Sequence, residues 1–312
     1  MEGGKKLGEG AKGIAYDISS KEGGETLVSI LQSMSRIDSI QVYTDSINPK
    51  PIEDIPAFIK KLDKLEGYFV KIFKTSTGIL RSYVPSEGFK EELDSINTVA
   101  SVVSAKYLPF SAIEKGIHVK GSKDFYALFG KKCDNRYTVS NPKQFVKDLL
   151  KCLIELNGAG YYHNDIKPDN IVQCGKTYKF IDWGNVTPND FVRPGYAYKT
   201  SNPIKHFLTR GTLLGIDYLI GLSVKQSWVL SKSFRKKYNQ VLVDLRYEVK
   251  HHTKKELLDK FFNTFDVYSL GMTLLYILIE FGLDTDENLE LVDKLTSFKN
   301  PLTAKEAMRL VS

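Results

Sequence analysis

Between Phe265 and Phe281 the sequence reads FDVYSLGMTLLYILIEF, a stretch with helical character that is apolar on nearly every side. A helix of that kind has no face to offer water and must be enclosed by other elements. The fold therefore needs a sizeable core, which a chain of 312 residues can build. The longest apolar run, Ser269 to Leu283, contains Glu280 and falls short of the ~20 apolar residues that cross a bilayer. It reads as a core helix. The N-terminal MEGGKKLGEG lacks an apolar signal segment. A soluble, intracellular protein without a transmembrane segment is expected.

The elements change character along the chain. Lys5–Leu7 and Ile14–Ile18 read as strands joined by a glycine turn, Gly8 to Gly13. Residues 25–66 resist assignment, apart from an amphipathic helix around Ala57–Leu65. Tyr68–Phe73, YFVKIF, is short, aromatic and β-branched, and so a strand. In Phe89–Val103 the apolar residues Leu93, Ile96, Val99 and Val103 recur at helical spacing. Ile117–Val119 and Phe125–Phe129 are further strands. Asn141-Pro142 then caps a helix running to about Leu156. Short strands follow at Ile171–Gln173 and Tyr178–Ile181. Residues 186–222 read as irregular loop, and 224–262 as helical. Strands first and helices later predict an α+β fold in two lobes, 1–130 and 131–312.

The net charge of +7 and pI near 9.0 favour anionic partners. The densest basic runs, Lys232–Lys237 and Lys250–Lys255, read as solvated helix faces, and nothing in them supports nucleic-acid binding. Cys133, Cys152 and Cys174 are far apart and form no CxxC pair, which argues against a disulfide framework or zinc site.

Three stretches carry chemistry. In LGEGAKGIAY, Gly8, Gly10 and Gly13 let backbone N–H groups approach phosphate oxygens closely. Strand follows the glycines where a dinucleotide fold needs a helix, so the pattern suits a flap over a nucleotide. A plain hairpin turn is the alternative. Lys71 sits inside YFVKIF, and Glu92 opens the next helix as its candidate ion-pair partner. On its own Lys71 would read as a snorkelling lysine. In HNDIKPDN, Asp165 can accept a hydroxyl proton and Lys167 can neutralise a transferring phosphoryl group. Asn170 and Asp182 offer hard oxygen ligands for magnesium. A pair of Asx-rich turns is the structural alternative.

Taken in order, these residues resemble the signature set of the eukaryotic-type protein kinases: glycine loop, strand lysine, helix glutamate, catalytic loop and Asp-x-Gly. Asp266-Val-Tyr-Ser-Leu-Gly271 resembles the family's DxWSxG, and Asn300–Glu306 a degraded RPTAxE. The resemblance implies a bilobal fold and an ATP- and Mg²⁺-dependent transfer of the γ-phosphate to Ser/Thr hydroxyls of protein substrates, acidic ones favoured. It makes Gly8, Gly10 and Gly13 the cover over ATP, and Lys71 the contact to the α/β-phosphates. Asp165 becomes the base, Lys167 the γ-phosphate contact, and Asn170 and Asp182 the metal ligands. Arg210-Gly-Thr212 resembles the family's Gly-Thr, and would set Thr212 near Asp165 and Lys167. A pseudokinase scaffold and a small-molecule kinase of the same fold are the competing readings.

Departures from the family are equally specific. Asn164 stands where most members carry an arginine that receives a phosphorylated loop residue, which implies activity without that switch. Trp183 replaces the usual phenylalanine of Asp-Phe-Gly, as in the casein kinase 2 group. The Ala-Pro-Glu segment and its arginine partner are both missing. Stretches 25–66 and 186–262 read as insertions. Compact kinases of large DNA viruses and the casein kinase 1/VRK group depart similarly, which places the protein in the cytoplasm, the nucleus or a virion.

Overall fold

The computed structural model describes residues 6–10, 13–17, 27–44, 48–62, 68–73, 85–109, 116–131, 133, 137–188 and 232–312. The chain is α+β and divides into two compact units. One comprises the described residues of Met1–Ser101 and Leu108–Asn135, the other those of Val102–Tyr107 and Arg136–Ser312.

The first unit is built on an antiparallel sheet. Its strands are β1 (Lys6–Gly10), β2 (Gly13–Asp17), β3 (Ile37–Tyr43), β4 (Lys50–Pro51), β5 (Tyr68–Phe73), β6 (Gly116–Gly121) and β7 (Phe125–Lys131), in the order β1-β2-β5-β7-β6-β3-β4. Side chains alternate across a strand. Val70 and Ile72 of β5 therefore enter one face, with Ile40, Val42, Ile117, Val119 and Ala127. Helices α1 (Leu27–Ser33) and α2 (Ile55–Leu62) cover that face through Leu27, Leu31, Phe58 and Leu62. Lys71 and Phe73 point to the opposite face, where α3 (Pro85–Val102) packs Phe89 edge-on against Tyr43 and Phe73.

Segment 25–66, read from the sequence as an unassigned insertion, is thus part of the core. It adds two strands through the β3–β6 pairing and supplies both helices of one face. The glycine turn also begins later than expected. Gly8 and Gly10 belong to β1, and Gly10 pairs with Gly13 across the hairpin.

In the second unit, α4 (Pro142–Gly158) starts where Asn141 accepts a hydrogen bond from the Gln144 backbone N–H at 3.0 Å, with proline at the first turn. Short strands β8 (Tyr161–Tyr162), β9 (Ile171–Cys174), β10 (Thr177–Phe180) and β11 (Thr187–Pro188) form two small ladders, β8 with β11 and β9 with β10. Helices α5 (Lys232–His251) and α6 (Lys254–Phe261) follow. Next come the largely apolar α7 (Phe265–Glu280), then α8 (Asp286–Leu295) and α9 (Ala304–Met308), the last two not foreseen from the sequence.

Helix α7 is enclosed as its composition requires: Val267, Leu270, Met272, Leu274, Leu275 and Leu278 are all buried. Gly271 lets α8 come close, since a Cβ there would meet Thr296 Cγ2 at 2.7 Å and Leu295 Cβ at 2.8 Å. Among the described residues only Lys254–Glu280 is long and apolar enough to cross a membrane, and 78% of its apolar window is buried inside the protein. Cys152 is a buried free thiol in α4.

Candidate functional site

In the first unit, β2 lies against β5 with Ala15 opposite Lys71, so the strand pair bearing the glycines adjoins the strand bearing the lysine. Lys71 Nζ donates to both oxygens of Glu92, at 2.7 and 2.8 Å. Leu93, Ile96 and Val99 are buried and fix the rotation of α3, which turns Glu92 inward while Glu91 stays exposed. The ammonium is only 17% exposed and the carboxylate 5%. A two-point charged contact at that depth is worth more than a surface ion pair.

The second unit gathers the loop chemistry. Tyr162 ends β8, and the loop from His163 turns back immediately. Two features hold it. Asp266, in the first turn of α7, accepts the backbone N–H groups of His163 at 2.8 Å and Asn164 at 3.0 Å. Asn157 adds its side-chain amide at 3.2 Å. Asn164 adopts left-handed backbone, φ 63°. Its amide lies within reach of Tyr162 O at 3.1 Å, Asn185 O at 3.3 Å and Thr187 Oγ1 at 2.7 Å. The loop start is thereby tied to the segment that follows Asp182-Trp-Gly.

Three side chains then converge on one oxygen of Asp165, itself only 5% exposed. Its Oδ2 accepts from Lys167 Nζ at 2.9 Å, Asn170 Nδ2 at 2.9 Å and Asn185 Nδ2 at 3.4 Å. Asn170 Nδ2 also donates to the Asp165 backbone carbonyl at 2.9 Å. Both bonds settle which end of the Asn170 amide is nitrogen and leave its Oδ1 as the acceptor. Asp165 Oδ1 receives no donor from any described residue. The Ile181 N–H donates to Asn170 O at 2.9 Å and brings the end of β10 to this loop. The next residue, Asp182, is left-handed with φ 60° and ψ 68°. An aspartate tolerates that conformation better than most residues, yet it carries strain of the kind that collects at ligand sites.

Beneath the loop, the His163 ring is fully buried against Phe180 and Trp183, with ring centroids at 5.0 and 4.7 Å. Neither ring nitrogen has a hydrogen-bond partner among the described residues. Burial pushes the imidazole pKa down, against the upward pull of Asp266, Asp165 and Asp182. The ring is thus neutral in the native protein, while the unfolded chain takes up a proton below pH ~6.5. The unfolded state then binds more protons, so stability falls as pH drops below that value and is flat above it with respect to this group. The expected limit is about 1.4 kcal/mol per pH unit. Denaturant midpoints between pH 7.5 and 5 should show this limb, and His163→Phe, which keeps the ring stack, should lack it.

Of the sequence-predicted residues, Lys71 and Glu92 meet within the first unit. Asp165, Lys167 and Asn170 meet within the second, with Asp182 at the end of the adjoining strand. Thr212 lies outside the described residues. Sequence reasoning missed Asp266 as the acceptor for the loop's backbone, and Asn157 and Asn185 as donors. The FIDWGN stretch contained Asn185, but nothing local to it points at Asp165. Among the described residues no three His, Cys, Asp or Glu side chains gather to hold a metal ion. No family model matches the sequence.

Proposed function

We propose that the chain is an ATP- and Mg²⁺-dependent phosphotransferase acting on Ser/Thr hydroxyls of proteins, and that its two units correspond to the lobes of a protein-kinase fold. One observation carries the reading: the divided carboxylate of Asp165. Oδ2 is held by Lys167 and Asn170, while Oδ1 has no donor among the described residues. A carboxylate fixed at one oxygen and available at the other suits the acceptance of a hydroxyl proton.

The residues present also fit the nucleotide and its metal. Asn170 Oδ1 and the Asp182 carboxylate offer hard oxygens of the kind magnesium takes, and phosphate and water would supply its other ligands. When bound, Mg·ATP supplies the phosphoryl donor and part of the neutralising charge. Lys71, oriented by Glu92, serves as the nucleotide-phosphate contact. Lys167 places positive charge beside the carboxylate that orients the substrate hydroxyl. The rest is positioning.

Mg·ATP is expected to raise the melting temperature of the purified chain by a few degrees, since a ligand at a hundred times its Kd stabilises by about 2.7 kcal/mol. Label from γ-labelled ATP should pass to casein or myelin basic protein, and Lys71→Met should diminish both effects. Stabilisation without transfer would mark a nucleotide-binding scaffold, and transfer only to hydroxylated metabolites a small-molecule kinase. Neither effect at saturating Mg·ATP would end the proposal.

The Asn164 clamp replaces a charge-dependent fastening with an uncharged one. Asn164→Gly keeps the left-handed turn and removes the bonds, at about 1 kcal/mol each. Transfer should fall roughly tenfold. Phosphatase treatment of the wild type should leave its rate unchanged, and a phosphatase-sensitive rate would contradict the clamp's role.

A further inference from the structure

Helix α5 presents a ridge that the proposed phosphotransfer does not use. Its inner face is anchored by Tyr238, Val241, Leu242 and Leu245, all buried. Beneath it, Glu248 is buried and bonded to Lys260 of α6 at 2.8 Å. The opposite face carries Lys236, Val243, Tyr247 and Lys250, at steps of seven, four and three residues, which align them along one stripe. Arg246 borders it.

Val243 is 59% exposed and Tyr247 61% exposed, and among the described residues Phe281 is the only other large apolar side chain so open to solvent. Scattered apolar residues are ordinary on a surface, but two neighbours on one ridge are less so. Tyr247 is also held: its ring lies 4.2 Å from that of His251, whose Nδ1 bonds the Tyr247 carbonyl at 2.7 Å. A pre-ordered aromatic loses little entropy on binding.

The ridge's charge is uncompensated. Among the described residues Lys236, Arg246 and Lys250 pair with no carboxylate, whereas Lys237 and Lys260 of the same region do. Of the helix's own acids, Asp244 borders the ridge on the side away from Arg246 and accepts from Gln240 at 2.9 Å, and Glu248 is buried. From Lys236 to Lys250 the helix rises about 21 Å, the reach of an extended peptide of about seven residues.

We propose that this ridge docks an extended acidic segment of a partner protein, with carboxylates towards both ends and an apolar centre over Val243 and Tyr247. The apolar centre favours a peptide over a nucleic acid, whose phosphates would leave Val243 without a counterpart. The inference stands on the ridge itself and does not depend on the phosphotransfer reading.

The test uses the full chain and a fluorescein-labelled heptapeptide, Asp-Glu-Val-Leu-Phe-Glu-Asp, followed by anisotropy. Saturable binding is expected below about 1 mM. It should weaken at least about tenfold in K236E/R246E/K250E and with added salt. In V243S/Y247S it should weaken several-fold, as should binding of a probe whose central residues are all serine. These side chains are exposed, so thermal melts of both variants should match the wild type. The proposal is overturned by absence of saturable binding, or by variants that bind like the wild type. Tighter binding of a single-stranded oligonucleotide of equal charge would overturn it, as would a dimer that V243S/Y247S dissolves.

Discussion

Asp165→Asn is expected to cut phosphoryl transfer at least about a hundredfold, the low end of what a positioned general base contributes. The substitution preserves size and leaves the fold intact. Its amide oxygen can occupy the Oδ2 position, where Lys167, Asn170 and Asn185 donate. The nitrogen then occupies the Oδ1 position and cannot take a proton from a substrate hydroxyl. Stabilisation by Mg·ATP should survive, because Lys71, Asn170 and Asp182 remain. The measurement is initial rate against a protein substrate, beside a thermal shift with Mg·ATP. A rate within a few-fold of wild type would remove Asp165 from the chemistry.

Asp266→Ala should produce the second large effect, this time on stability. The backbone N–H groups of His163 and Asn164 lose their acceptor at once, and the Asn157 side-chain amide keeps only its bond to the Tyr161 carbonyl. The carboxylate they share is buried, so water does not readily replace it. Each unsatisfied buried donor costs about 1–3 kcal/mol. A total of roughly 3 kcal/mol or more should lower the melting temperature by about 5 °C or more in a protein of this size. Hydrogen exchange at the His163 and Asn164 amides should accelerate first, because their partner is gone even where the rest of the unit stays folded. A drop of less than about 2 °C would show that the loop is held by something other than Asp266.

Much of the candidate site was legible because its residues lie in one short loop. Asp165, Lys167 and Asn170 are separated by at most five positions, so any compact turn brings their side chains together. Glu92 was legible by periodicity, since the apolar residues after it define the buried face of α3. Of segment 25–66, only the helix around Ala57–Leu65 was legible, and it stands at Ile55–Leu62. The other helix and the strands are short and the segment's turn chemistry mixed, so neither period extends far enough to be recognised. Its structure depends on pairing with β6, whose partner residues lie more than seventy positions away.

The amino-acid order alone determined which side chains the His163–Asn170 loop could bring together and that FDVYSLGMTLLYILIEF had to be enclosed. Both are local properties, one of loop spacing and one of composition. Tertiary structure alone decided that Asp266, about a hundred residues on, receives the amides of the His163 loop, and that the Asn164 amide reaches Thr187. It also left Val243 and Tyr247 on the outside of α5. Those outcomes depend on which buried donors find an acceptor once the elements pack, and on which helix face the core accepts. Neither is written in the period of a single segment.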